Sequence, residues 1–192
     1  GSITSSEAVY SLVVNSGGVA FALTNSGPHK KSITSGSNVW ASIKGTITDS
    51  NFSGYLSLDA SENLYLANSF SSVRKVYTGN TLGTTWNAGT SYPAHIASTS
   101  LSVISASNWL MSSNPGGVFK TTNSGAAWTD ANGSFKSLAP SQIFITAQNR
   151  IFVSYGLNNG GNGYMQSIDE GATWTYQSAS PVDRSILGFV KL

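Results

Sequence analysis

Eight carboxylates, Glu7, Asp49, Asp59, Glu62, Asp130, Asp169, Glu170 and Asp183, are the chain's acidic groups, and His29 and His95 are its histidines. Glycoside hydrolysis would need two carboxylates facing each other across the scissile bond, and nothing in the spacing of these eight pairs any two. The histidines stand alone, outside any Ser-His-Asp order or metal-ligand spacing. Asp130-Ala131-Asn132-Gly133-Ser134 opens like a calcium loop, but its twelfth place holds Ser141 where a bidentate Glu belongs. Gly160-Gly161-Asn162-Gly163 is not followed by Gly-Lys-Ser/Thr, so it is no phosphate cradle. No metal, cofactor or catalytic group is therefore expected. What the chain offers is neutral hydrogen bonding interleaved with rings: Phe70, Tyr92, Phe135 and Tyr155 as stacking platforms, with Asp130, Asn158, Asn162 and Asp183 as polar contacts. Aromatic faces beside amide and carboxylate edges suit the ring faces and hydroxyls of glycans. Each residue also has a plainer reading as ordinary loop, with Tyr155 as core at a strand end and Phe135 as a loop anchor.

Composition narrows the partners. Only 9% of the 192 residues are charged, against roughly 25% in an ordinary globular protein, so polarity comes from Ser, Thr, Asn and Gly. A net charge of +2 with Lys and Arg scattered singly forms no basic stripe, which argues against nucleic acid. With no cysteine, disulfides, thiolate metal sites and Cys nucleophiles are excluded. No apolar run approaches the ~20 residues of a membrane span, so no membrane insertion is expected. The leading Gly1-Ser2 reads as a cloning remnant, with any signal peptide or neighbouring domain lying outside this stretch.

These groups must be held by short strands. AVYSLVV (8–14), GYLSLDA (54–60), NLYLA (63–67), QIFITA (142–147), RIFVSY (150–155) and SILGFV (185–190) are rich in β-branched and aromatic residues and bounded by Gly, Asn, Ser or Pro. No window sustains a helical apolar period. The segment SIDEGATW (167–174) has counterparts in TTNSGAAW (121–128), TLGTTW (81–86) and SITSGSNVW (32–40). Their tryptophans at 40, 86, 128 and 174 lie 46, 42 and 46 residues apart, close to the length of a four-stranded propeller blade. Each unit then reads strand A, strand B, strand C, boxed turn, strand D. The repeats run at about 8–44, 52–90, 98–131 and 141–178 within a single domain over 1–192, and a terminal strand at 184–191 resembles the start of a fifth unit.

The turn has a physical logic. A short acceptor side chain at Asp169 or Asn123, or more weakly Thr81 or Thr34, closes the turn on backbone N–H groups. Gly171, Gly125, Gly83 and Gly36 supply positive φ. The tryptophan leaves on strand D to bury its ring against the adjacent blade.

These segments resemble the Asp-box, or BNR, repeat of sialidases, sortilin-type receptors and bacterial propeller proteins, with pattern S/T-x-D-x-G-x-T/S-W. Ser167-Ile168-Asp169-Glu170-Gly171-Ala172-Thr173-Trp174 matches in full and the other three are degenerate. The resemblance implies an all-β propeller, or propeller-like array, of about four four-stranded blades. It also puts the boxes on the outer part of the blade, away from the ligand face. A sialidase needs three converging arginines, a Tyr–Glu nucleophile pair, an acid/base Asp and six blades. Arg74, Arg150 and Arg184 lie outside the opening Arg-Ile-Pro motif of those enzymes, and four repeats fill this chain.

In a four-stranded meander the B–C loops and D–A connections share the face opposite the boxes. The B–C loops are expected at 25–29, 68–72, 114–117 and 156–163, and the D–A connections at 49–52, 92–95, 130–135 and 181–184. The eight ring and polar residues named above come from these loops. The expected function is a non-catalytic binding module recognising surface glycans, as part of a secreted or surface-displayed bacterial or phage adhesin. A protein-interaction scaffold and a degenerate glycosidase are the alternatives, and an unpaired terminal strand would allow a homo-oligomer.

Overall fold

The computed structural model describes residues 2–36, 39–70, 73–134, 139–155 and 163–178. The described residues form four antiparallel four-stranded sheets in simple meander order and contain no helix. The first sheet is β1 (Val9–Val14), β2 (Val19–Thr24), β3 (Gly27–Ser32) and β4 (Ala41–Ser42). The second is β5 (Gly54–Leu58), β6 (Leu64–Asn68), β7 (Lys75–Thr78) and β8 (Thr90–Ser91). The third is β9 (Ser98–Val103), β10 (Trp109–Ser113), β11 (Gly117–Thr121) and β12 (Thr129–Asp130), and the fourth is β13 (Pro140–Ile145), β14 (Ile151–Tyr155), β15 (Gly163–Ser167) and β16 (Thr175–Ser178). The terminal strand expected at 184–191 lies outside the described residues.

The chain divides into two compact units, Gly1–Ser91 and Tyr92–Leu192, each holding two sheets. Strand B explains why a sheet cannot stand alone. Every side chain of β6 and β10 is buried, so both faces of the strand need cover. In the first unit that cover is a shared core: Phe21, Leu23, Ile43 and Ile47 from the first sheet meet Leu56, Leu64, Leu66, Tyr77 and Trp86 from the second. In the second unit Leu110, Val118 and Ala131 meet Ile143, Ile151, Val153, Met165 and Trp174. Strand D is short, two residues in three of the four sheets.

Two expectations need correction. Pro28 and His29, expected in a B–C loop, lie inside β3, where His29 is buried with its Nδ1 3.1 Å from the Gly27 carbonyl. The hairpin needs only Asn25 and Ser26 as its loop, because Thr24 pairs directly with Gly27. Thr81 is not the acceptor of the second boxed turn. Asn80 Oδ1 takes the Thr84 N–H at 2.8 Å, and the acceptor sits one residue earlier than alignment on Trp86 suggests.

Candidate functional site

The boxed turns come first because they carry the most distinctive chemistry. Asp169 Oδ1 accepts from Ser167 Oγ and from the Thr173 N–H, both at 2.8 Å, and its Oδ2 accepts from Thr173 Oγ1 at 2.5 Å. Ser167 Oγ in turn receives the Gly171 N–H at 2.8 Å. Asn123 repeats the pattern with Thr121 Oγ1 at 2.9 Å and the Ala127 N–H at 2.8 Å. The Thr173 hydroxyl and N–H, followed by Ser167, hold the Asp169 carboxyl down to about 2. Both oxygens of this carboxylate take part in closing its own turn, so the arrangement is a clasp.

Past the clasp lies the joint between sheets, and the two units build it the same way. Trp86 Nε1 donates to the Ile43 carbonyl at 2.7 Å, and Trp174 Nε1 to the Ala131 carbonyl at 2.7 Å. Lys30 Nζ donates to the Leu82 carbonyl at 3.1 Å, and Lys120 Nζ to the Glu170 carbonyl at 3.1 Å. Thr46 Oγ1 donates to the Trp86 carbonyl at 3.3 Å, and Ser134 Oγ to the Trp174 carbonyl at 2.8 Å. The inner strands close the set, with the Leu56 N–H on Ser11 Oγ at 3.0 Å and the Ile143 N–H on Ser100 Oγ at 3.3 Å. Gly83 is required here: at φ 61° it passes so close to the first sheet that a Cβ would lie 2.5 Å from Ile43 Cδ1.

At the opposite end, the B–C loops and D–A connections meet within each unit, as the meander demands. In the first unit Asn68, at the end of β6, donates Nδ2 to Asp49 Oδ2 at 2.9 Å and to the Asn51 carbonyl at 3.2 Å. Its Oδ1 accepts the N–H groups of Ser53 and Phe70 at 3.3 and 3.2 Å. Tyr77 Oη donates to the same Asp49 oxygen at 2.7 Å. Burial first, then the bond to Asp49 and its charge, pushes the Tyr77 phenol well above its ordinary range, so it remains a donor. This network spends Asp49, Asn68 and Tyr77 on fixing two loops, and it leaves Ser50, Asn51 and Phe70 exposed above them. In the second unit Asn132 does the pinning: Oδ1 accepts the Val118 N–H at 2.7 Å and Nδ2 donates to the Gly116 carbonyl at 2.9 Å. Asn132 lies against Gly117, at φ 85°, so closely that no Cβ fits there. His95 packs edge-on to Phe119 with ring centroids 5.5 Å apart.

Of the residues singled out from sequence, Phe70 is 38% exposed on the loop end of the first unit. Asp130 is exposed on β12 in the second unit, with Oδ1 accepting the Asn132 N–H at 2.6 Å. Tyr92 is a correction: it is 4% exposed, edge-on to Trp128 with centroids 6.4 Å apart, and is therefore a core ring and no open platform. It directly follows β8, the place that Ile43 takes after β4 and Ala131 after β12, where a residue packs on the next boxed tryptophan. Tyr155 ends β14 opposite Pro140. Phe135, Asn158, Asn162 and Asp183 lie outside the described residues. Asp49, Asn68 and Tyr77 were missed as a group because their link is a side-chain network between a loop and two strands, which leaves no periodic trace. Among the described residues no cluster of three His, Asp or Glu is placed to hold a metal ion, and no helix is long and apolar enough to cross a membrane.

No family profile and no curated protein matches the chain. Solved structures do. The GH74 xyloglucanase from Xanthomonas campestris superposes with a TM-score of 0.64 at 16% identity, over 90% of this chain and 31% of that one. YCF48 from Cyanidioschyzon merolae gives 0.63 at 10% identity, over 95% and 60%. A catalytically inactive virginiamycin B lyase from Staphylococcus aureus with quinupristin gives 0.66 at 12% identity, over 93% and 58%. The chain thus spans less than two thirds of the length of each, and what it shares with them is the β-propeller fold.

Proposed function

We propose that the chain is a non-catalytic binding module whose B–C and D–A loop end recognises a hydroxyl-rich ligand of the surface-glycan type, as part of a secreted or surface-displayed bacterial or phage adhesin. One observation carries the non-catalytic part. Seven of the eight carboxylates lie in the described residues, and each is committed to a local structural bond. Asp169 closes its turn, and Asp49 takes Asn68 and Tyr77. Asp59 takes the Ser61 and Asn63 N–H groups, and Asp130 takes Asn132. Glu170 pairs with Lys120, Glu62 holds the Ser16 N–H, and Glu7 takes the Thr4 N–H and the Ser26 hydroxyl. These bonds give each of the seven a structural role, which supports the non-catalytic reading. The capacity offered at the loop end is Phe70 as platform with Asn51 and Ser50 beside it in the first unit, and the exposed Asp130 carboxylate in the second. Phe135, Tyr155, Asn158, Asn162 and Asp183 complete the proposed ligand set. Under the same reading the boxed turns are Asp-box repeats of one domain and serve as scaffold.

The experiment is a glycan array probed with the labelled chain beside its Phe70→Ala, Asn51→Ala and Asp169→Asn variants. Loss of signal in the first two with retention in the third supports the reading. The reverse pattern sinks it. A protein-interaction scaffold is the second reading, favoured by the likeness to YCF48 bound to D1 peptide, which has a TM-score of 0.64 at 9% identity. A chain that binds no glycan and captures an extended peptide would select it. The likeness to GH74 enzymes keeps a degenerate glycosidase as the third, which turnover of a chromogenic glycoside would select.

A further inference from the structure

Two stretches of the chain, Asp49-Ser50-Asn51-Phe52-Ser53 and Asp130-Ala131-Asn132-Gly133-Ser134, carry the Asn-x-Ser/Thr pattern of N-linked glycosylation, and no other asparagine does. Each also places an Asp two residues before the Asn, the acidic extension that bacterial oligosaccharyltransferases require. The pattern does not separate the two, but the surroundings of the two amides do. Half-buried Asn132 pairs side by side with one hairpin, Oδ1 on the Val118 N–H at 2.7 Å and Nδ2 on the Gly116 carbonyl at 2.9 Å. The hydrogen that a sugar would replace in a trans amide is the one this pairing uses. Ser134 is committed as well, its Oγ donating to the Trp174 carbonyl at 2.8 Å and accepting the Trp174 N–H at 3.3 Å. Asn51 is exposed, and among the described residues its Nδ2 donates only to the neighbouring Ser50 Oγ, at 3.2 Å. Its loop is anchored by other groups: the Phe52 ring is fully buried, the Asn51 carbonyl takes Asn68 Nδ2 at 3.2 Å, and the Ser53 N–H goes to Asn68 Oδ1 at 3.3 Å. A substituent on the Asn51 amide therefore breaks nothing that holds the fold, whereas one on Asn132 breaks the pin of its hairpin.

We propose that Asn51 is an N-glycosylation acceptor, taking an oligosaccharide from a lipid-pyrophosphate donor during export, before the chain folds. In that transfer Asn51 Nδ2 bonds to the anomeric carbon of the sugar. The bond from that carbon to the phosphate oxygen breaks, the lipid pyrophosphate leaves with its electron pair, and the amide gives up one proton to a base of the transferase. The proposal shares with the ligand reading above only the export of the chain, so a failed glycan array leaves it standing. A sugar on Asn51 would stand beside Phe70, and only the unmodified chain presents that loop end in full.

The test exports the full chain, behind a signal peptide, into the periplasm of a bacterium that holds an oligosaccharyltransferase and its lipid-linked oligosaccharide. The same host without the transferase supplies the unmodified form. Intact mass and peptide mapping of the folded product should find one glycan, on Asn51. Asn51→Gln and Ser53→Ala should each remove it, and Ser53→Thr, which keeps the hydroxyl, should retain it. The modified and unmodified forms should melt together. A folded product with no glycan, or with one on Asn132, overturns the proposal. So does a glycan that survives Asn51→Gln, or a modified form that melts well below the unmodified one.

Discussion

The two units share one joint and differ at their loop ends. Trp86 and Trp174 reach the same carbonyl, Lys30 and Lys120 the same turn, and Thr46 and Ser134 the same tryptophan backbone, at distances that agree to within half an ångström. The residues at the receiving positions nevertheless differ: Ile43 against Ala131, Leu82 against Glu170. Their identity is free because the acceptors are backbone carbonyls, so only the donor side is constrained in sequence. At the loop ends the constraint is reversed. Among the described residues, the network of Asn68, Asp49 and Tyr77 in the first unit has no residue-for-residue counterpart in the second, where Asn132 pins a glycine hairpin. The joint is conserved geometry carried by a few donors, and the loop end is where the repeats are at liberty to diverge.

The largest effect that tests this sameness is loss of the tryptophan. Trp86→Ala and Trp174→Ala should each cost about 3–5 kcal/mol, the usual range for emptying a buried aromatic site. Thermal denaturation should place the two variants close together. A large drop for one and none for the other would break the equivalence of the joints.

Next comes the close approach at Gly83. A Gly83→Val substitution would strain a backbone at φ 61° and drive a side chain into Ile43, costing about 1–3 kcal/mol. The paired change Gly83→Val/Ile43→Ala should recover part of the loss if the clash matters, and none if the backbone angle alone is at fault. Urea midpoints for the single and double variants decide between the two.

These sites also mark how much was legible beforehand. Tryptophan spacing and strand alternation revealed four sheets, because each boxed turn ends in one large ring, buried at Trp86 and Trp174 and half-buried at Trp40 and Trp128, and half-buried strands force alternation. Asn80 escaped because the second turn holds its acceptor one residue further from the tryptophan, and aligning on the ring hides that shift. Tyr92 was misread for a related reason. Ile43 and Ala131 each follow their own tryptophan by three residues, whereas Tyr92 follows Trp86 by six, so its packing on Trp128 is clear only once β8 is located. The Asp49 network joins residues whose partners lie 19 and 28 positions away, a separation with no period to betray it.

A smaller effect separates the lysines. Lys120 adds a charged partner, with Nζ 3.0 Å from Glu170 Oε2, while Lys30 faces Leu82 and finds only its carbonyl. Partly exposed ion pairs contribute below about 1 kcal/mol and are weakened by salt. Lys120→Met should therefore destabilise slightly in dilute buffer and less in molar salt, and Lys30→Met should show no such salt dependence. Matching salt profiles for the two would mean that the pair adds nothing to the shared backbone bond.

The smallest expected difference lies between boxed turns and appears only in acid. Asp169 closes its turn as a carboxylate, with its ionisation pulled from 3.8 down to about 2 by Thr173 and then Ser167. A carboxyl whose folded value is depressed adds stability that is fully present above its unfolded value and is lost as pH falls through the folded one. The contribution should thus fade between about pH 4 and pH 2. The turns closed by Asn123 and Asn80 use amides, which do not titrate, so neither of them carries this acid step. Asn80 also shows that an amide can do the work, since its Nδ2 donates to Thr84 Oγ1 at 2.9 Å while its Oδ1 takes the Thr84 N–H. Asp169→Asn should accordingly fold normally, melt close to the parent at neutral pH, and lose less melting temperature between pH 4 and pH 2. Parallel declines in the two proteins would show that the Asp169 turn contributes no more through its charge than its neighbours do without one.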